Sequence, residues 1–553
     1  MDSPRQDTRL ARRRRRYSTW RAVSLIAVYV LAAVHIAHWR ISGKTLAPLE
    51  LNEVMVTLEL GIITAGFVFM ALIVVSAAIF GRFFCSWACH ILALQDLCAW
   101  MLRKLRIRAK PVRSRALLLV APLAMLYMFV WPAFSTVIDG RPFPSLRLSD
   151  DAGGWGSFVT DDFWRNLPGL WGALLTFAVC GFVIIYILGT RSFCQYVCPY
   201  GAVFGLMDRV APGRIKVNAD RCTGCAVCTG VCESHVRIHE EIAIHGNVVD
   251  PGCLKDLDCV AACPEGALSF GWTRPSLLRS LRPARRRLRY DFRWWEDVLM
   301  ACVFIGALFA FRGLYGRLPF LLSLTIAGIL AYFAVLTIRL FPARDLRFNA
   351  FQLKRAGAWT RGGVVFGIVM LAVWLFAAHS GVVRYHEWAG AAALERAKAQ
   401  AAAADNAAVG MADLQTALSH MNFVERWGIM VEPTHYARKG WASWAAGDGD
   451  GARRAWRHAI EASPSDHQSR LNLAAAMLEA GRPEPAVRLL QYVASAHPRS
   501  SKDAARYAWY RASAWDMLAA VAAARGDEQA ALAASEAANR ARAANGERSP
   551  SPH

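Results

Sequence analysis

Seven cysteines and one aspartate between residues 222 and 263 stand at spacings that suit iron–sulfur chemistry. The first run is Cys222-x2-Cys225-x2-Cys228-x3-Cys232, and the second is Cys253-x2-Asp256-x2-Cys259-x3-Cys263-Pro264. Three thiolates two residues apart wrap one cube of iron and sulfide, and the fourth cysteine of each run ligates the neighbouring cluster. On that rule the first cluster takes Cys222, Cys225, Cys228 and Cys263. The second takes Cys232, Cys253 and Cys259, with Asp256 in the remaining place. A carboxylate is a harder ligand for iron than a thiolate. The first site is therefore expected to hold 4Fe-4S, and the second either 4Fe-4S with a labile iron or 3Fe-4S. Zinc modules pair two C-x2-C knuckles across a longer spacer, whereas a triple x2 spacing crowds thiolates too closely for one tetrahedral ion. Glu233 stands where a proline usually follows the fourth cysteine, a change that touches the turn more than the ligation.

A second group consists of two matching segments, Arg82-Phe83-Phe84-Cys85-x-Trp87-x-Cys89-His90 and Arg191-Ser192-Phe193-Cys194-x-Tyr196-x-Cys198-Pro199. Each follows a pair of apolar stretches, so the first four stretches read as an internal repeat. A pseudo-twofold would bring Cys85, Cys89, Cys194 and Cys198 together as candidate redox thiols. Cysteines at i and i+4 share one helix face, and two such faces could hold a metal, exchange disulfides or pass electrons between clusters and membrane. Both pairs are expected where the second and fourth spans meet the cytoplasm. Cys98, Cys180 and Cys302 have no such partners and read as packing residues.

These groups must be carried by a membrane protein. The chain is 55% hydrophobic over 553 residues, too apolar to be wholly water-soluble. Runs long enough to cross a bilayer, about 20 residues each, lie near 20–39, 56–80, 115–134, 169–189, 297–315, 318–338 and 363–383. The net charge of +22 gathers beside these runs, so it marks topology rather than nucleic-acid binding. Arg12 to Arg16 precede the first run with no cleavage site after it, which predicts an uncleaved anchor and a cytoplasmic N-terminus. Residues 81–115 carry eight Lys and Arg against Asp96 and belong inside, as do 190–296, with the basic run Arg285, Arg286, Arg287 and Arg289, and 339–361. Residues 135–166, with Asp139, Asp150, Asp151, Asp161 and Asp162, belong outside. An odd number of crossings leaves everything after about residue 384 in the periplasm of a bacterial inner membrane.

The expected fold is mainly α: a polytopic membrane protein of about seven transmembrane helices, with an inserted two-cluster α+β domain and a C-terminal α-helical repeat domain. The boundaries run 1–19 for the basic N-terminus, 20–213 for a four-helix unit with both C-x3-C pairs, and 214–275 for the cluster domain. Further membrane helices fill 276–384, a linker 385–430 and helical repeats 431–545. In the tail, Gly447 to Gly481 and Pro464 to Pro498 are both 34 residues apart, the period of tetratricopeptide helix pairs, which stack into partner-binding surfaces. Residues 549–553 read as disordered. Histidines within membrane runs are costly and often functional. His35 with His38, and His379 with His386, are candidates for heme, copper or a quinone headgroup, although no C-x2-C-H motif for covalent heme is present.

Taken together, residues 20–340 or so resemble membrane polyferredoxins of the NapH, NosR and CcoG type, which carry paired C-x3-C-P motifs after transmembrane hairpins and a cytoplasmic two-cluster ferredoxin domain. The sequence departs from that pattern at His90, where the first motif has proline, and at Asp256. The resemblance implies a quinol-linked oxidoreductase component that donates electrons to a periplasmic respiratory protein. It equally implies an assembly factor supplying electrons for metal-cofactor maturation. A third class, an iron–sulfur redox sensor, follows from the Asp256 site itself.

Overall fold

A computed structural model describes residues 4–50, 53–107, 110–140, 142–149, 156–160, 163, 169–275, 277, 290–316, 318–404, 410–498 and 504–543. The basic run Arg285 to Arg289, the acids Asp150, Asp151, Asp161 and Asp162, and the tail 549–553 lie outside the described residues, as do the side chains of Arg12 to Arg16. The chain forms two compact units. One comprises Met1–Asp150, Gly156–Leu308 and Pro319–Val373, and the other Phe309–Leu318 and Trp374–His553.

Most described residues are helical, and six helices are long and apolar enough to cross a membrane: Tyr17–Ser42, Arg115–Ile138, Leu170–Leu188, Trp294–Phe311, Phe320–Arg339 and Arg361–Ala402. The second of the seven expected runs, at 56–80, is broken. Glu53–Leu60 and Ala65–Phe80 are separate helices, and the second has only 16 residues. Gly61 causes the break, because its φ is +71° and a Cβ there would stand 2.3 Å from the Ser145 carbonyl oxygen. Thr64 then starts the second helix by accepting from the Phe67 amide at 3.2 Å. Phe320–Arg339 buries twelve side chains, as befits a central helix of a bundle.

The cluster domain is inserted between helices Pro199–Val210 and Trp294–Phe311. Strands Gly213–Val217 and Leu268–Trp272 pair antiparallel, from Gly213 opposite Trp272 to Val217 opposite Leu268. Short helices Val227–Gly230, Ile238–His245 and Asp258–Ala262 pack on them. Ile215, Val236, Ile238, Ile242, Val248 and Leu268 form the apolar floor beneath the cysteines.

In the other unit, residues expected as a linker are helical. The helix Arg361–Ala404 continues through them, and Met411–Trp427 follows. Ala393, Leu394 and Ala397 make one stripe that buries against Leu414, Ala417 and Met421, so the Ala-rich stretch has a packing partner. After it come helices Pro433–Ala445, Gly449–Ala462, His467–Glu479, Pro483–Ala494, Ala504–Ala524 and Glu528–Ala543. Gly447, Gly481 and Gly526 lie in three of the interhelical turns, each with φ between +69° and +83°, a conformation glycine adopts at little cost.

Candidate metal centre

The two cysteine runs fold into the same backbone shape. Gly224, Ala226 and His235 have φ of +70°, +58° and +57°, and the residues at the same offsets in the second run, Lys255, Leu257 and Gly266, have +59°, +65° and +59°. Four of these six are not glycine, and left-handed backbone costs such residues about 1–2 kcal/mol each. Strain of that kind persists where the surroundings over-determine it. The duplication sets Asp256 in the backbone position that Cys225 occupies in the first run.

Cys222, Cys225, Cys228 and Cys263 line one cavity of about 300 Å³, floored by Val217, Ile242 and Leu268. One water occupies about 30 Å³, so this is room for a polynuclear centre. Among the described residues no three of His, Cys, Asp and Glu converge closely enough to hold a single ion. In the second set Cys253 and Cys259 are buried, Asp256 is 7% exposed, and Cys232 is half-buried. Burial pushes the Cys232 and Cys259 thiols up, and the charges of Asp256 and Cys253 push them further. Crowded buried acids of this kind are what a cationic core relieves. The donor set fits an iron–sulfur cluster at each site.

Asp256 has other partners as well. Its Oδ1 accepts from the Asp258 amide at 3.3 Å, and its Oδ2 lies 4.0 Å from Arg21 Nη1. Burial raises its carboxyl and Asp258 adds to the rise, while Arg191 and Arg21 oppose it. Arg21 also donates to Asp258 at 3.0 Å and to Asp96 at 3.4 Å. The first long helix is thereby fastened to the loop that carries the second site.

The two C-x3-C segments form a pair of hairpins. Phe83–Trp87 is followed by helix His90–Lys104, and Phe193–Val197 by Pro199–Val210. Cys89 and Cys198 share one backbone conformation, φ −82° and ψ 117° against φ −71° and ψ 112°. His90 thus fills the first helical position that Pro199 fills in the second hairpin. All four thiols lie within electrostatic reach of one another. Cys85 and Cys194 are buried in one core with Leu92, Phe204 and Leu254. Like the cluster cysteines, they do not converge on a single-ion site.

Both turns pack against long helices of the same unit. Tyr29 Oη donates to the His90 carbonyl at 2.8 Å, and Tyr29 is eight residues beyond Arg21, about 12 Å along the helix. The Tyr200 ring lies 5.5 Å from Phe129, which is fourteen residues beyond Arg115, about 20 Å along its helix.

Arg82 and Arg191, the equivalent arginines of the two segments, are 4% and 1% exposed. Arg82 donates to the Pro251 carbonyl at 3.1 Å and to the Cys194 carbonyl at 3.4 Å, while Arg191 pairs with Asp96 at 2.9 Å. Trp87 Nε1 donates to the Lys255 carbonyl at 3.2 Å. Lys255 in turn meets Asp208 at 2.8 Å, with Arg214 3.6 Å from the same carboxylate, all three fully buried. Sequence reasoning missed this triad, since the spacing of Asp208, Arg214 and Lys255 carries no periodic signal.

The candidate histidines are engaged by neighbouring protein groups. His35 Nε2 meets the Leu46 carbonyl at 2.9 Å, and His38 Nδ1 meets Thr45 Oγ1 at 3.0 Å. In the other unit His379 Nε2 meets the Trp427 carbonyl at 2.8 Å, and His386 meets His420 at 2.8 Å and stacks on Phe423. Cys98 and Cys180 are buried, whereas Cys302 is exposed on its helix.

The family described as 4Fe-4S binding domain, Fer4_5, matches residues 62–108 and 170–218. The matched segments hold Cys85, Cys89, Cys194 and Cys198 and end before Cys222. The ligand set of Cys222 to Cys263 thus rests on its own spacing and geometry. The chain is 24% identical over 287 residues to the ferredoxin-type protein NapH of Haemophilus influenzae, covering 46% of this chain and 89% of that protein. It is 28% identical over 204 residues to NapH of Escherichia coli K12, covering 34% and 61%. It is also 28% identical over 180 residues to the methylamine utilization ferredoxin-type protein MauN of Methylobacillus flagellatus, covering 32% and 54%. The chain spans less than two thirds of several of these relatives, so what those whole proteins do comes to it only as a proposal. No solved structure matches the chain. In its paired-cysteine segments and its iron–sulfur character, the chain resembles the membrane ferredoxin-type electron-transport proteins.

Proposed function

We propose that the chain is a membrane-bound electron-transfer protein, linking the quinone pool or cytoplasmic donors to a periplasmic acceptor. One observation carries this reading. The loop bearing Cys253 and Asp256 is bonded, through Pro251 and Lys255, to Arg82 and Trp87 of the first thiol hairpin, and its Leu254 is buried in the core that holds Cys85 and Cys194. When bound, iron–sulfur clusters supply one-electron transfer. Cys222, Cys225, Cys228 and Cys263 would hold one 4Fe-4S cluster, and Cys232, Cys253, Cys259 and Asp256 the other, with 3Fe-4S or a labile iron as its open forms. The chain's own residues bury Cys228, Cys253, Cys259 and Cys263 while leaving Cys222 and Cys225 exposed, and they fasten the second site's loop to the thiol segments.

A bilayer core of about 30 Å separates the two aqueous sides, so the thiols at the hairpin tips serve as the step inward, and a quinone is the mobile carrier. Loop charge supports a bacterial inner-membrane protein with its N-terminus and cluster domain in the cytoplasm. The helix pairs after residue 430, with their left-handed turn glycines, support a tetratricopeptide-like periplasmic surface for the acceptor. The test is anaerobic purification with iron and sulfide analysis, followed by spectra with and without a reduced quinol analogue. Seven or eight irons per chain, roughly the content of two clusters, with quinol-dependent reduction, is the expected result. A full iron complement that ignores every quinol analogue would overturn the quinone link and favour a maturation or sensing role.

A further inference from the structure

A groove of about 560 Å³ in the first unit is separate from the cluster cavity, and Arg82, Cys194 and Pro251 of the contacts above form part of its lining. One wall is the helix Arg115–Met125, from which Leu118, Pro122 and Met125 line it. These positions are i, i+4 and i+7, a single helix face, and they run for about 10 Å. The facing wall is Pro199–Val210, where Gly201, Ala202 and Gly205 contribute almost no bulk. A Cβ on Gly205 would meet nothing within 4 Å, so the groove is open there. At the end nearest the cluster domain the lining turns polar and basic, with Arg113, Arg209 and Arg237. With Arg82, four arginines line the groove against Glu240 and Asp250, Arg237 pairing with Glu240 at 2.9 Å, which leaves an excess of two positive charges.

The ligand that matches is amphiphilic and anionic. We propose that this groove binds an anionic phospholipid, its phosphate at the arginine end and an acyl chain along Leu118, Pro122 and Met125. Basic pockets between membrane helices favour such headgroups. A quinone shares the apolar body but has a neutral head, and nothing in it answers the excess charge. The lipid would lie between membrane helices and cluster domain, touching Arg237 on one and Leu118 on the other.

The test uses the full chain, purified in mild detergent and titrated with phosphatidylglycerol and with phosphatidylethanolamine under native mass spectrometry. The wild type is expected to retain phosphatidylglycerol at least tenfold better, and millimolar inorganic phosphate should not displace it. Each arginine is worth roughly fivefold, so R209Q/R237Q should bind about 25-fold more weakly. R209K/R237K should keep the preference, and Gly205→Leu should lose both lipids by filling the groove. Iron content reports folding in each variant, and the wild-type titration stands even where a variant loses iron. Equal retention of the two lipids, displacement by phosphate alone, or a neutral quinone recovered from the wild type and lost in Gly205→Leu would each overturn the proposal. None of these outcomes bears on the iron–sulfur sites.

Discussion

Replacing Asp208 with asparagine tests whether the cluster domain and the thiol hairpins are one mechanical piece. Asp208 lies near the end of Pro199–Val210, with no exposed surface. Its carboxylate meets Lys255 at 2.8 Å and Arg214 at 3.6 Å, and accepts from the Arg82 amide at 3.3 Å. Asparagine keeps the shape and removes the charge, which strands two buried cations. Breaking a buried pair from one side costs about 3–5 kcal/mol, roughly a fifth or more of a typical domain's stability of about 5–15 kcal/mol. Arg214 retains the Ala211 and Val248 carbonyls, so the loss falls mainly on Lys255 and the loop between Cys253 and Cys259. We expect D208N to be purified with about half the iron of the wild type and without the low-temperature signal of the second site. D208N/K255M, which removes both charges, should recover part of that iron, since contacting residues are not additive. A D208N protein with full iron and unchanged thermal stability would refute the reasoning, and so would strictly additive loss in the double variant.

Three further outcomes are expected. Asp256→Cys should give the second site four thiolates and a stable 4Fe-4S spectrum, and an unaltered low-temperature spectrum would remove Asp256 from the ligand set. Cys85→Ser and Cys194→Ser should each abolish reduction by a quinol analogue, and the double variant should be no worse than either, as for residues acting as a unit. Additive partial losses would mean that the two hairpins work independently. Gly61→Ala meets both a left-handed φ of +71° and the Ser145 carbonyl at 2.3 Å. It should cost at least about 2 kcal/mol, read as a lower thermal midpoint in detergent, and an unchanged midpoint would show that the helix break is not held by that glycine.

The legible parts of this chain are those whose cause is local. A mainly helical chain with several apolar spans follows from run length and composition, and ligand spacing follows from residues within ten positions of one another. The break at Gly61 was hidden because Val56, Leu58 and Leu60 before it and Phe67 after it are all apolar, and hydropathy does not register backbone φ. The contacts of His90 with Tyr29 and of Tyr200 with Phe129 carry no sequence signal, because the partners lie far apart along the chain. The Ala-rich stretch 390–410 reads from sequence as a linker or as a helix leading out of the membrane, because alanine gives little amphipathic contrast. Its partner stripe at Leu414, Ala417 and Met421 lies in another helix.

The burial of Leu254 among the thiols has a consequence for the order in which the protein can be made. Cys85, Leu92, Cys194 and Phe204 leave the ribosome before residue 254 does, yet their core includes it. During synthesis the first four apolar stretches can be inserted in the bilayer while that core still lacks a wall. It closes only when the chain between Cys253 and Cys259 has folded, and that loop is organised around its ligands. On the proposed ligand set, iron delivery and membrane packing would coincide in time, and iron-starved cells would be expected to accumulate inserted chains with an open thiol core, read as raised alkylation of Cys85 and Cys194.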